Sequence, residues 1–246
     1  MRIGILVAGH INGPLANAHG TYAPMYRTML HSAAPEIETL SVSLVDGEAL
    51  PAVDAADGWL VSGSRHGTYE DLPWIEPAKA FLRDAVAARI PVVGICFGHQ
   101  LLAEAMGGAS SKAPQGWGLG VHEYRFDRTP AWMAGAGDGF SGFAIHQDQV
   151  QTLPEGATVL ASSAFCPYAA LAYGDPDRPV ALSVQPHPEF TRAFVRDLIT
   201  ERRGIAMPED RSDEALAGLD RPVDNTAWAR WIVDFFQQAT ARRAAA

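Results

Sequence analysis

An α/β domain, with a mostly parallel central sheet flanked by helices on both faces, is what this sequence predicts, and three observations carry that reading. Short, continuous apolar runs recur at residues 3–8, 57–62, 90–95 and 179–185, the texture of strands buried on both faces. Stretches with helical spacing at residues 22–31, 77–89 and 100–106 interleave with the earlier runs in a βαβαβ rhythm. The chain has 246 residues, 48% hydrophobic and 19% charged, enough to bury one large core.

Residues 3–8 read as the first strand, an apolar run too short for a signal-peptide core. A loop over 9–20 follows, carrying His10, Asn12, Asn17 and His19. Tyr22, Met25, Tyr26, Met29 and Leu30 mark one face of a helix over 22–31. Alternation of Ile37, Leu40, Val42 and Leu44 predicts a second strand over 37–45. The third strand, 57–62, runs into Gly63-Ser64-Arg65-His66-Gly67. Phe81, Leu82, Ala85 and Val86 share one face of the helix over 77–89. The fourth strand ends at Ile95, and the helix after it stops at Gly107-Gly108.

From residue 109 the texture changes. Residues 109–120 are rich in Gly, Pro and Ser, and alternating stretches at 121–126 and 143–146, with 158–161, predict an antiparallel, more exposed extension of the sheet. A flexible loop is expected over 135–142. After the last strand, residues 191–203 and 226–239 read as extra C-terminal helices joined by a polar connector containing Pro208. Trp228, Trp231, Ile232, Phe235 and Phe236 form an apolar stripe expected to face the core. The expected division is a main domain over 1–190 and a helical extension over 191–246 packed on it.

Net charge is −9, and no Lys/Arg cluster exceeds a pair, which argues against nucleic acid and anionic membrane as partners. No apolar run approaches the ~18 residues of a membrane span. Two cysteines, Cys96 and Cys166, suit a reducing cytoplasm rather than a disulfide framework. No metal-ligand spacing and no glycine-rich phosphate loop appear, so no cofactor is expected.

The chemistry centres on Gly94-Ile95-Cys96-Phe97-Gly98-His99-Gln100. A buried strand, a sharp turn and a helix follow one another, with the cysteine on the turn: G-x-C-x-G, the cysteine counterpart of the nucleophile elbow. The glycines two before and two after Cys96 are needed because a Cβ at either place would strike the neighbouring strand or helix. At a helix N-terminus, the dipole and free N–H groups favour thiolate over thiol. Cys96 needs a base, and His187 follows a buried strand, so it lies on the same sheet edge. Pro186 and Pro188 hold it extended, which places Glu189 on the same side as the imidazole. Cysteine, histidine and acid then stand as nucleophile, base and orienter.

These segments, with Pro186-His187-Pro188-Glu189, strongly resemble the class I (triad-type) glutamine amidotransferases, and the resemblance runs from the first strand to about Phe190. It implies their flavodoxin-like fold, a catalytic domain over 1–190, and attack by Cys96 on the side-chain carboxamide of glutamine or a γ-glutamyl compound. His187 would protonate the leaving nitrogen and then activate water, with Glu189 orienting it. Two N–H groups would stabilise the oxyanion: that of Phe97, directly after the nucleophile, and that of Ser64, carried over from the family. Gly63 gives that loop its freedom, and Ser64 stands where a second glycine is commoner. Gln100 matches a position lining the glutamine pocket. His146, in Ala144-Ile145-His146-Gln147-Asp148, matches the family's Ser-His-x-Asp stretch, with Ile145 where serine is common.

The motif set is most similar to stand-alone GMP-synthase-like members, a group that includes γ-glutamyl peptidases. The resemblance therefore implies glutamine or a γ-glutamyl small molecule as partner. No Ser-Gly-Gly-x-Asp-Ser signature of an ATP pyrophosphatase is present, so an ammonia-supplying subunit for a separate synthase is the alternative. A non-catalytic regulatory or binding protein keeping the fold, and a cysteine peptidase or amidase on a non-glutamyl substrate, are two further readings. His99 and Cys166 are expected to be structural, and His10 and His19 are minor candidates on the same edge.

Overall fold

In chain order the computed structural model, which describes residues 1–245, forms β1 (Arg2–Val7), α1 (Gly13–His19), α2 (Tyr22–Ala33), β2 (Glu38–Ser43), β3 (Gly58–Val61), α3 (Ile75–Ala87), β4 (Val92–Ile95) and α4 (Phe97–Ala105). It continues through β5 (Ala109–Lys112), β6 (Gly118–Phe126), β7 (Gly139–His146), β8 (Asp148–Thr152), β9 (Ala157–Ser162), β10 (Ala170–Tyr173) and β11 (Ala181–Val184). Three helices close the chain: α5 (Arg192–Arg202), α6 (Glu209–Ala217) and α7 (Asn225–Ala244).

Nine strands make one sheet in the order β2-β1-β3-β4-β11-β10-β9-β6-β7, and β5 pairs with β8 in a separate ribbon. The half from β2 to β11 is parallel; the half from β10 to β7 is antiparallel. Strands β3, β4 and β11 are buried at every residue, which is why they read as unbroken apolar runs. One face is covered by α3 and α4, whose Phe81, Leu82, Leu101 and Leu102 meet Trp59 and Val61. The other is covered by α2, α5 and α7. The aromatic stripe of α7 is buried there: Trp231 meets Phe126 edge-on, and a Cβ on Gly58 would lie 2.7 Å from the Phe236 ring. Among the described residues no helix is long and apolar enough to cross a membrane.

Several expectations are corrected. The loop expected over 9–20 contains α1, started by a proline in its first turn. The polar connector contains α6, which buries only Ser212 and Ala215 and so shows no apolar stripe. Strand β7 begins at Gly139, inside the expected flexible loop. The glycine there permits close pairing, since a Cβ would lie 2.2 Å from the Tyr124 carbonyl oxygen. Strands β5 and β8 are too polar for an apolar run to mark them, and β10 goes unread although it is four buried residues, as β3, β4 and β11 are.

The elbow has the geometry its glycines require. Cys96 has φ +54°, outside the range most side chains accept. A Cβ on Gly94 would lie 2.3 Å from the Gly98 carbonyl oxygen, and one on Gly98 would lie 2.3 Å from the Val61 carbonyl oxygen. Helix α4 thus rests directly on β3 and β4. Gly98→Ala is expected to destabilise the protein by about 3 kcal/mol, because the obstacle is backbone and cannot swing away. Urea unfolding of wild type and variant checks it.

Candidate active site

The strand order puts three loops side by side. Strand β4 lies between β3 and β11, all parallel, so Ser62–Ser64, Cys96 and His187–Glu189 leave the same sheet edge from neighbouring strands. Cys96 is the N-cap of α4 and is 4% exposed. His187 is 2% exposed, and its Nδ1 lies 2.6 Å from Glu189 Oε1. Its ring stacks on Phe190, centroids 4.0 Å apart and planes 10° from parallel. The backbone N–H of His187 donates to the Phe143 carbonyl at 2.9 Å, which ties the loop to the antiparallel half.

Burial disfavours a charge on His187, but the Glu189 carboxylate at Nδ1, and after it the nearby Cys96 sulfur, outweigh it and push the pKa up to about 10. The ring therefore holds its proton at neutral pH. A stacked, buried imidazolium between a carboxylate and a sulfur can hand a proton to a nitrogen leaving a carbon that the sulfur has attacked.

The acid has a second partner that periodicity conceals. The Tyr26 hydroxyl, on α2, donates to Glu189 Oε1 at 2.8 Å and accepts from the Gly63 N–H at 3.1 Å. Burial first, and then the Glu189 charge, raise the Tyr26 pKa well above 10, so it stays a donor. One phenol thus joins the loop after β3 to the acid after β11. Gly63 also flanks the imidazole directly, since a Cβ there would lie 2.8 Å from His187 Cε1. Tyr26→Phe is expected to lower kcat about tenfold with little change in KM, and to cost about 1 kcal/mol of stability, the worth of a buried hydrogen bond. Steady-state kinetics with urea unfolding checks both.

Ser64, where a glycine was the commoner expectation, is a fastening. Its Oγ donates to the Ala8 carbonyl at 2.7 Å and accepts from the His66 N–H at 3.1 Å. Ser62 Oγ accepts from the Ala8 N–H at 2.9 Å, so both backbone groups of the residue after β1 are held by this loop. The N–H groups of Ser64 and Phe97 have no acceptor among the described residues.

Cys96, Ser64, Gln100, His146 and His187 line one cleft of about 500 Å³. Gln100 Nε2 donates to the Asp148 carbonyl at 2.8 Å and to Gln185 Oε1 at 3.1 Å, which ties α4 to β8 and to the loop after β11. Burial first, and then the neighbouring His122, push the His146 pKa down to about 3. A neutral ring that donates from Nδ1 to the Asp148 carbonyl, 3.1 Å away, keeps Nε2 as an acceptor, and that atom is buried with no partner among the described residues.

His99 is fully buried beside Ser183 Oγ at 2.7 Å, and burial pushes the Cys166 thiol up to about 12. His10 lines the cleft and pairs with Asp46 at 3.0 Å, whereas His19 pairs with Asp197 at 2.7 Å. Among the described residues no group of three His, Cys, Asp or Glu side chains is placed to hold a metal ion. The residues that sequence reasoning missed are Tyr26 and the cleft's apolar wall, Tyr22, Phe190, Phe194, Leu198 and Met207, together with Arg202. For Tyr22, Tyr26, Phe194 and Leu198 the one signal was helical spacing, which reports burial and not what lies opposite; Phe190 and Met207 lie outside the helices and gave none.

The family model of glutamine amidotransferase class-I matches residues 25–203. Gamma-glutamyl peptidase 4 of Arabidopsis thaliana is 30% identical over 236 residues, 89% of each chain. A glutamine-hydrolyzing GMP synthase subunit of Halobacterium salinarum is 29% identical over 183 residues, covering 74% of this chain and 91% of its own. Among solved structures, a glutamine amido transferase from Methylobacillus flagellatus shares the fold, with a TM-score of 0.73, 24% identity, and coverage of 96% of this chain and 92% of that one.

Proposed function

The chain belongs to the class-I glutamine amidotransferase family, and from that premise we propose that it hydrolyses the γ-carboxamide of glutamine or of a γ-glutamyl amide through a thioester on Cys96. The observation that carries this reading is the buried line from Glu189 through His187 to Cys96 across the ends of β11 and β4. Cys96 Sγ attacks the γ-carbon, and the N–H groups of Ser64 and Phe97 receive the oxyanion. The C–N bond breaks as His187 gives its proton to the departing nitrogen, and ammonia or an amine leaves. Water, deprotonated by His187, then attacks the thioester, and the γ-carboxylic acid leaves as the sulfur is released as an anion beside the protonated His187. Glu189 holds the ring by Nδ1, Gly63 flanks it, and Gln100 and His146 line the side of the cleft that takes the glutamyl chain.

Rapid acid quenching during turnover, followed by intact-mass measurement, tests the proposal. A Cys96 adduct of about 129 Da, one glutamyl residue, is expected of covalent catalysis. No adduct and no released amine with glutamine or γ-glutamyl peptides overturns it. The likeness to a subunit of a GMP synthase favours a second reading, in which ammonia passes to a separate synthase. On that reading glutamine is preferred over every γ-glutamyl peptide.

A further inference from the structure

Three groups around Cys96 set how a scissile amide can lie. The oxygen points to the N–H groups of Ser64 and Phe97, and the leaving nitrogen points to His187. The glutamyl chain takes the remaining direction, past Gln100 and His146. The leaving group therefore enters the half of the cleft beyond His187.

The two halves differ in chemistry. The half past Gln100 and His146 carries both signs, with Lys112 and Asp148 among its lining, as the ammonium and carboxylate of an α-amino acid head require. On the side of His187 the lining is largely apolar: Phe190 stacks on the imidazole and meets Phe194 with ring centroids 4.4 Å apart, and Leu198 and Met207 of the same segment line the cleft with the cation Arg202, while Arg65 lies on the Ser64 loop.

Arg202 is held in place and its charge is free to be met. It is the last residue of α5, and its carbonyl accepts the N–H groups of Ile205, Ala206 and Met207, each at 3.1 Å. The Arg202 side chain is 37% exposed. Its one carboxylate neighbour, Glu201, reaches Nε at 3.4 Å, and the terminal guanidinium nitrogens have no acceptor among the described residues. Tyr22, whose hydroxyl lies beside Gly63, lines the same cleft. This wall belongs to the chain's own α5 and the turn after it.

We infer that this half of the cleft is a leaving-group subsite for an amine with an apolar body and a carboxylate at its far end, held by Arg202. The matching substrate is a γ-glutamyl peptide with an apolar residue after the glutamyl and a free C-terminus. The inference rests on the hydrolase reading above. A guanidinium takes a carboxylate through two parallel hydrogen bonds, which an uncharged carboxamide cannot reproduce.

The test compares γ-glutamyl-leucine and γ-glutamyl-leucylglycine, each as free acid and as C-terminal amide, with glutamine as reference. For wild type, kcat/KM for the free acid is expected to exceed that for the amide at least tenfold for one of the two lengths. In Arg202→Met, which keeps the stem and removes the charge, that ratio is expected to fall to near one. A ratio near one in wild type, or a tenfold ratio that survives in the variant, overturns the subsite while leaving the hydrolase reading intact. If no substrate turns over and no adduct forms, the hydrolase reading fails, and the subsite is then read from protection of Cys96 against iodoacetamide. Free acid protecting tenfold better than amide, with the difference lost in Arg202→Met, supports the subsite; equal protection overturns it.

Discussion

Cys96→Ala is expected to leave the protein folded and to lower turnover of glutamine and γ-glutamyl amides by about 10⁴-fold or more, as loss of a covalent nucleophile does. No other thiol can substitute. Cys166 is buried, its pKa is pushed up to about 12, and it lies on no strand-to-helix turn. The variant keeps the Cβ, so the backbone at φ +54° stays as strained as in wild type. Cys96→Gly should behave differently. It removes the same sulfur, but glycine accepts positive φ, so this variant is expected to be more stable than wild type by about 1 kcal/mol. Residual turnover above one part in a hundred for either variant, measured by glutamate release, would move the nucleophile elsewhere. A destabilised Cys96→Gly in urea would show that the elbow stores no strain.

His187→Ala is expected to lower kcat by about 10⁴-fold, and Glu189→Gln by only about a hundredfold. In the proposed reaction the imidazole moves protons in both halves, whereas the carboxylate holds it. A glutamine at 189 keeps a carbonyl oxygen that can accept from both His187 Nδ1 and the Tyr26 hydroxyl, so the tautomer survives while the charge is lost. The charge should be visible in stability. The folded His187 pKa is about 10 against an ordinary 6.5, so the fold favours the protonated ring. Its contribution is full below pH 6.5 and fades as pH rises toward 10. Wild type is therefore expected to lose stability between pH 7 and 10 more steeply than Glu189→Gln, in which the largest cause of the upward shift is gone. Urea midpoints across that range decide the matter, and parallel curves would mean the carboxylate does not set the charge on the ring.

The site was legible where its parts are contiguous in sequence. Gly94, Cys96 and Gly98 form one turn, and His187 and Glu189 one extended tripeptide, so each could be read as a unit. Counting parallel strands then put both on one edge. Tyr26 could not be found this way. In α2 it occupies the same helical face as Met29 and Leu30, and nothing in that spacing tells a buried phenol with two partners from a packed ring. Arg202 was hidden for a similar reason, being a basic residue at the end of a helix, where a basic residue is ordinary. Ser64 looked like a departure because the comparison was with glycine, and its reason is the backbone of Ala8, more than fifty residues earlier. Among the strands, β3, β4 and β11, buried at every residue, were readable; the polar β5 and β8 were not, nor was β10, which is equally buried.

Strand β11 has a consequence for how the molecule is made. It is the last strand in the chain, yet it sits near the middle of the sheet, between β4 and β10. Until it is in place, the parallel and antiparallel halves each present an open edge, the kind of surface that recruits other chains into aggregates. The same strand delivers His187, whose backbone is anchored on the carbonyl of Phe143 across the seam. On the proposed mechanism, a partly folded chain has a cysteine without its base, and reactivity is expected only once the seam closes. On refolding from urea, glutamate release is expected to return with the slowest phase, after helical circular dichroism has recovered, because pairing β11 with β4 joins strands far apart in the chain, Ala181 meeting Val92.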